Sequence, residues 1–429
     1  MTIKKQSIET FYPHPRPYFA WGVWLAATLF MVILYLIEFS VWDAHSPLMG
    51  EKLNSPHSLQ DILTPYLIAT ILFQIPVSFM IDEWGPTKVV GCVMLISTIG
   101  ILILGLSDSN AIFWIALFIT GIGATVSYAN AFKFISNWFS PRKFPLIVGG
   151  TVCIAHLGAP FGQPLTNYFL SHFQWTTTFI NYGIVGIIYA LFFFAVLRSS
   201  SPGAQYNVYA NQQLPSAKTA IVSALKNREN WLIALAFGLL EGHRITFVGF
   251  WHITFLEAFY KISPDEGAYF NTPCILAYAF GALFFGWIAM RKKIRKKLII
   301  IGAILAAIAN FIPVYIPGLS DVIVVILFSI SSFCAGSFFL SASLIHEKNV
   351  PQITATVIGM LVISLAFFRL LTNWIVSGIL DFISSDLSLS SYSPTELKIT
   401  FLVFPLSALI GLLLLSRVKD THGKQKLTL

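Results

Sequence analysis

Few ionisable side chains interrupt the long apolar runs of this 429-residue sequence, and any chemistry it performs must be sought there. Glu38 follows Tyr35 by one helical turn; Asn130 and Lys133 share another run, His156 and Gln163 a third. Glu241, His243 and Arg244 cluster together, with Trp251 seven residues beyond Arg244 and on its helical face. Arg369 and Asn373 form the last candidate pair. A charged group inside a bilayer costs several kcal/mol unless it is paired or faces water, so such residues are binding or coupling candidates.

Each candidate has a plainer alternative. Glu241 and Arg244, at i,i+3, either neutralise each other permanently or separate in one conformation, leaving the carboxylate to take a proton. Glu38 reads as a proton or substrate-ammonium site, or as a solvated acid at a helix end. The Arg369 guanidinium suits a carboxylate fork, and a pair with Glu38 or Glu241 would satisfy it too. His156, His243 and His252 could titrate near neutrality or serve as packing. Tyr35 and Trp251 are cavity walls or ordinary helix-face aromatics. Lys133, near a helix end, is expected to snorkel toward water. Gly149, Gly150, Gly158 and Gly162 suit close helix contact and bending.

The elements that position these residues are membrane helices. Charged residues make up 11% of the chain and hydrophobic ones 56%, with 38 Phe, whereas soluble proteins carry about 25% charged residues. A spanning helix needs about 20 apolar residues. Twelve such runs are expected, at 19–42, 61–81, 88–107, 110–136, 144–170, 175–197, 229–257, 267–290, 297–316, 321–345, 353–381 and 397–416. The first follows a basic leader and is too long for a cleavable signal, so it reads as a signal anchor.

Lysine and arginine alternate in density between these runs. One side collects the residues around Lys88, Arg142, Lys143, Arg228, the block Arg291–Lys297 and Arg417; the other holds only Lys52, Lys261 and Lys398. That asymmetry predicts a multi-pass protein with both termini in the cytoplasm. It also accounts for the net charge of +8 without a nucleic-acid partner, as basic loops lie against anionic lipid. The polar stretch 199–228 reads as a cytoplasmic linker between six-helix bundles at 17–198 and 229–417. Paired bundles of this kind imply a substrate site at their interface, near the membrane midplane.

Two loop sequences sharpen the expectation. Ser78-Phe-Met-Ile-Asp82-Glu-Trp-Gly85-Pro-Thr-Lys88 follows the second run, and Gly286-Trp-Ile-Ala-Met290-Arg291-Lys-Lys-Ile-Arg295-Lys296 occupies the matching place in the second half. Asp82, Gly85 and Lys88, and Gly286, Arg291 and Arg295, resemble the helix 2–3 gating-loop motif of the major facilitator superfamily; Ser78, Glu83, Thr87 and Met290 depart from it. Asp82 is placed to cap a helix N-terminus.

A narrower likeness runs through Gly121–Lys133, Asn137–Phe144, Gly158–Pro164 with Trp175, Asn230-Trp231, Phe250–Leu256 and Glu347–Asn349. These stretches resemble the bacterial phagosomal nutrient transporter (Pht/Fpt-type) branch, with Leu117, Thr176 and His252 departing from its pattern. The resemblance implies the major facilitator fold, an all-α membrane protein of twelve helices in two pseudo-symmetric halves. It also implies proton-driven symport of an amino acid or nucleoside into the cell, across a bacterial inner membrane.

No G-x-x-x-x-G-K-[ST] loop, H-E-x-x-H pair, G-x-S-x-G elbow or CxxC pair occurs, so neither an enzyme nor an ATP-driven pump is expected. Cys92, Cys153, Cys274 and Cys334 lie inside apolar runs without metal-ligand spacing and read as small core hydrophobes. The expectation is a monomer in the lipid bilayer, without metal or organic cofactor, powered by a proton gradient and carrying a small molecule by alternating access. The alternative substrate is a larger organic anion such as a siderophore, drug or metabolite, moved inward or outward.

Overall fold

A computed structural model of the chain describes residues 17–42, 59–196, 217–262, 264–316, 318–383 and 392–426. All regular elements among them are helical. The first half comprises α1 Pro17–Trp42, α2 Leu59–Trp84, α3 Pro86–Gly105, α4 Asn110–Ala124, α5 Ser127–Trp138, α6 Phe144–His156, α7 Ala159–His172 and α8 Trp175–Val196. A short helix, α9 Ala217–Lys226, precedes the second half. That half runs α10 Arg228–Thr246, a π-helical turn Phe247–Trp251, α11 His252–Tyr260, α12 Pro264–Lys292, α13 Lys296–Tyr315 and α14 Asp321–Ala335. It continues through a 3₁₀ turn Gly336–Phe339, α15 Leu340–Glu347, α16 Thr354–Ile383, α17 Pro394–Thr400 and α18 Val403–Ser416.

Ten helical stretches among the described residues are long and apolar enough to cross a membrane. They match ten of the twelve expected runs, and the chain is a multi-pass membrane protein. The run expected at 144–170 is two helices, α6 and α7, because Leu157 and Gly158 interrupt it and Pro160 opens the second. α1 covers the first run, although its side chains beyond Val32 lie outside the described residues. Of the expected linker at 199–228, only α9 and the residues after it are described.

Lipid-facing and buried faces divide sharply. Ile184, Ile188 and Leu191 on α8, and Leu406, Leu409 and Leu413 on α18, are exposed, as expected of faces solvated by hydrocarbon. α16 is instead buried along most of its length, since it packs on α10 within its own half and on α2 across the interface. α6 against α12 forms the second contact between halves. Glycine makes that approach possible: a Cβ at Gly149 or Gly286 would collide with the backbone carbonyl of Ala282 or Pro145.

The halves are joined at the end of the molecule that carries the basic loops. Gly85 there takes φ 89° to turn α2 into α3. Asp82, just before the turn, accepts the backbone amides of Ala355 and Thr356 at 3.0 and 2.7 Å, capping α16 of the other half. Lys133 pairs with Asp82 at 2.7 Å and donates to the carbonyls of Pro351 and Gln352. Lys133 was expected to snorkel; it is 5% exposed and turned inward instead, because an acid and two helix-end carbonyls await it there. Phe144 stacks on His346 with ring centroids 4.1 Å apart, across the same interface.

The second loop motif forms a separate cluster. Arg295, 2% exposed, donates through Nε and Nη2 to Glu347 at 3.0 and 2.7 Å, and through Nη1 to the Ala289 carbonyl. Thr421 also donates to Glu347, and Gln425 donates to the carbonyls of His346 and Asn349 at 2.9 and 2.6 Å. Residues 417–426 are thereby folded against the second half. Lys88 and Arg291 are exposed, with the Arg291 guanidinium 4.6 Å from the Trp287 ring centre.

Candidate functional site

A cavity lies between the halves. α2 contributes Tyr66, Leu67 and Thr70; α4 and α5 bring Ala124, Ser127 and Tyr128; α6 supplies His156. From the second half come Arg244, Ile245, Val248, Gly249, Ile275, Tyr278, Val362, Leu365, Ala366 and Arg369. The walls are mostly apolar with a few convergent polar groups, the usual make-up of a small-molecule site.

Its charged apparatus centres on Glu241, which is fully buried. Arg244 forks onto the carboxylate, Nε to Oε2 at 3.0 Å and Nη2 to Oε1 at 2.6 Å. Tyr278 donates to Oε1 at 2.7 Å, and its ring lies under the guanidinium with the Arg244 Cζ 3.7 Å from the ring centre. His156, from the other half, sets its ring 4.7 Å from that of Tyr278 and donates through Nδ1 to the Val152 carbonyl at 2.9 Å. Arg244 and Tyr278, from two helices, thus hold one carboxylate behind a cation that faces the cavity. A buried ion pair offsets its desolvation only when further hydrogen bonds satisfy its remaining groups, and Tyr278 supplies one here.

Arg369 reaches the cavity from α16, and Thr246 ties the two helices by bonding to the Gly242 carbonyl and, at 3.4 Å, to that of Arg369. The cavity therefore shows two guanidinium groups, three tyrosines and an imidazole. Among the described residues no carboxylate lines it.

Other sequence candidates lie elsewhere. Asn373, one turn beyond Arg369, is 6% exposed and away from the lining. Asn130 is fully buried, and neither atom of its amide finds a hydrogen-bond partner among the described residues. Trp251 is 2% exposed in an apolar cluster and meets Phe401 edge-on at 6.5 Å. The π-helical turn explains that placement: wider than an α-turn, it rotates Trp251 off the face of Arg244 that regular spacing gives it. The side chains of Tyr35, Glu38 and Gln163 lie outside the described residues. Tyr66, Tyr128 and Tyr278 were not singled out from sequence, since aromatic residues at 15% of the chain conceal which ones point inward. Among the described residues no cluster of three His, Cys, Asp or Glu could hold a metal.

Two helical bundles around a buried, cation-lined cavity define a multi-pass membrane protein of the solute-carrier type. Residues 19–366 match the family model of the Major Facilitator Superfamily, and the chain belongs to that family. It is similar to the uncharacterized transporter YybO of Bacillus subtilis, 22% identical over 56% of this chain and 60% of that protein. It is also similar to the probable sulfoacetate transporter SauU of Cupriavidus necator, 26% identical over 34% of this chain and 36% of SauU. Sialin of Ovis aries is 26% identical over 39% of this chain and 33% of its own length. The matched region thus spans 60% or less of each of these relatives. In fold, the chain superposes on the crystal structure of the human organic anion transporter MFSD10 with a TM-score of 0.66. The two are 15% identical, and the superposition covers 94% of this chain and 99% of that one.

Proposed function

We propose that the protein is a proton-coupled secondary transporter that brings a small organic anion into the cell by alternating access. The observation that carries this reading is the cavity's charge: Arg244 and Arg369 face it, and no acid among the described residues does. A guanidinium binds a carboxylate or sulfonate in a two-point fork. Tyr66, Tyr128 and Tyr278 add aromatic walls and hydroxyls around it. The similarity to SauU, named for sulfoacetate, supports an anion. Amino acids offer the arginines a carboxylate; a nucleoside, having no anionic group, offers neither guanidinium a fork partner.

Coupling follows from Glu241. An arriving anion competes for the Arg244 fork, and the carboxylate it displaces is left charged in a dry site. Such a group is neutralised by binding a proton, so anion and proton load together. When the halves rock and the anion leaves, Glu241 gives up its proton and recaptures Arg244. The protein would work as a monomer in a bacterial inner membrane with its termini in the cytoplasm, where the basic loops meet anionic lipid.

Uptake into proteoliposomes under an imposed proton gradient tests this reading. A panel of radiolabelled carboxylates, sulfonates, amino acids and nucleosides should show gradient-dependent accumulation confined to solutes bearing an anionic group. Accumulation of nucleosides alone, or of nothing in the panel, overturns it.

A further inference from the structure

A second space lies inside the C-terminal half, on the far side of Arg244 from the central cavity. It is bounded by α10, the π-helical turn, α11, α12, α13, α14 and α18. Arg244 and Val248 line both spaces and so form the partition. A third space continues from it, sharing His243, Phe247, Ala307, Asn310 and Ala408, and reaches Tyr315 at the end of α13 remote from the basic loops. The three lie in series: Tyr315, then Asn310 and His243, then Arg244.

The middle chamber carries several polar groups on its wall. His252, 2% exposed, lines it, and neither ring nitrogen makes a hydrogen bond of ordinary geometry with the described residues. The Asn271 amide gives a hydrogen to the Val248 carbonyl at 3.1 Å and lies close enough to the His252 ring to interact with it. A buried imidazole left in that state calls for water. Asn310, Ser331 and Ser332 supply further polar groups on the wall. The π-helical turn that exposes His252 to the chamber is an irregularity found most often at functional sites.

We propose that this chamber is a hydrated route by which protons reach the Glu241–Arg244 pair without passing through the substrate cavity. The proposal rests on the reading of Glu241 as the coupling carboxylate. The titratable and charged groups around the route are Glu241, His243, Arg244 and His252 from α10 and α11, and Cys274 and Tyr278 from α12. α13 adds Tyr315, α16 Arg369 and α6 His156, while α14 and α18 present only uncharged residues to the chamber. One proton passes from the remote aqueous phase along water and imidazole to a Glu241 oxygen. The carboxylate becomes a neutral acid as Arg244 transfers its fork to the incoming anion, so the site's net charge is conserved.

Two measurements on full-length reconstituted protein decide the matter. Asn310→Leu and Ser332→Leu fill the chamber without touching the substrate cavity. They should cut gradient-driven uptake about tenfold while counterflow exchange of the same anion, which needs no net proton movement, stays near wild type. Equal loss of both, or of neither, overturns the route. Independently of any solute, Cys274 lines the chamber. In a variant with Cys92, Cys153 and Cys334 replaced by Ala, a small methanethiosulfonate should modify Cys274 in the native protein, about tenfold more slowly after Asn310→Leu. A Cys274 that reacts only on unfolding overturns the chamber. A wild type that moves no solute in the panel fails the transport reading alone, and the labelling still decides the chamber.

Discussion

The Asp82 carboxylate of the first half accepts the Thr356 amide of the second at 2.7 Å, while Lys133 holds the same carboxylate at 2.7 Å from behind. The acid therefore acts as a latch between the halves, tuned by a cation of its own half. A hydrogen bond to a charged group contributes about 1.5–3 kcal/mol. Asp82→Ala should accordingly shift the balance toward a state open at the basic end by tenfold or more. Spin labels at the exposed positions 143 and 297 report this as a longer distance population; an unchanged distribution refutes the latch.

Glu241→Gln removes the charge that competes for Arg244 but keeps a group able to accept from Tyr278. Anion binding should tighten, by about tenfold for one ionic hydrogen bond released, and should lose its dependence on pH. Gradient-driven accumulation should fall to background. Calorimetric titration at two pH values, beside the uptake assay, checks both halves of the expectation.

Arg244→Lys retains the charge and discards the fork. The ammonium cannot bridge both Glu241 oxygens while lying over the Tyr278 ring, and Arg and Lys are not interchangeable at such a site. Anion affinity should drop at least about tenfold, one lost charge-assisted bond, with thermal stability changed little. A lysine variant with wild-type affinity would show that the fork does not read the substrate.

Arg295→Leu strands Glu347, whose remaining partner is Thr421, in a buried setting. Removing one partner of a buried pair costs about 3–5 kcal/mol, whereas replacing both with apolar residues is often close to neutral. The single variant should unfold at a clearly lower temperature, and Arg295→Leu with Glu347→Leu should recover most of the loss. Additive losses in the double variant argue against the pair.

Gly149→Val places a branched side chain against the Ala282 carbonyl, where α6 crosses α12. The halves then cannot close at this contact. Transport should be abolished at normal expression, with the label distances at the basic end lengthened as in Asp82→Ala.

Much of this architecture could be read from the residues alone. Apolar run lengths located ten of the spans, since desolvation of the backbone dictates helices of that length. The i,i+3 spacing of Glu241 and Arg244 left pairing open and the structure makes the pair; the acid of the loop motif likewise finds a helix N-terminus. What escaped detection was long-range or irregular. Lys133 meets its carbonyl partners more than 200 residues away, and Arg295 finds Glu347 52 residues on. The π-helical turn breaks the period on which Trp251 was aligned with Arg244. No local pattern announces a wide turn made by tertiary packing.

The folded segment 417–426 is bonded to Glu347, His346 and Asn349, all on the second half. A fluorophore or fusion attached after it is therefore rigidly referenced to one of the two moving bodies. Set against a second dye near residue 143, it turns the rocking of the bundles into an energy-transfer signal that needs no knowledge of the cargo.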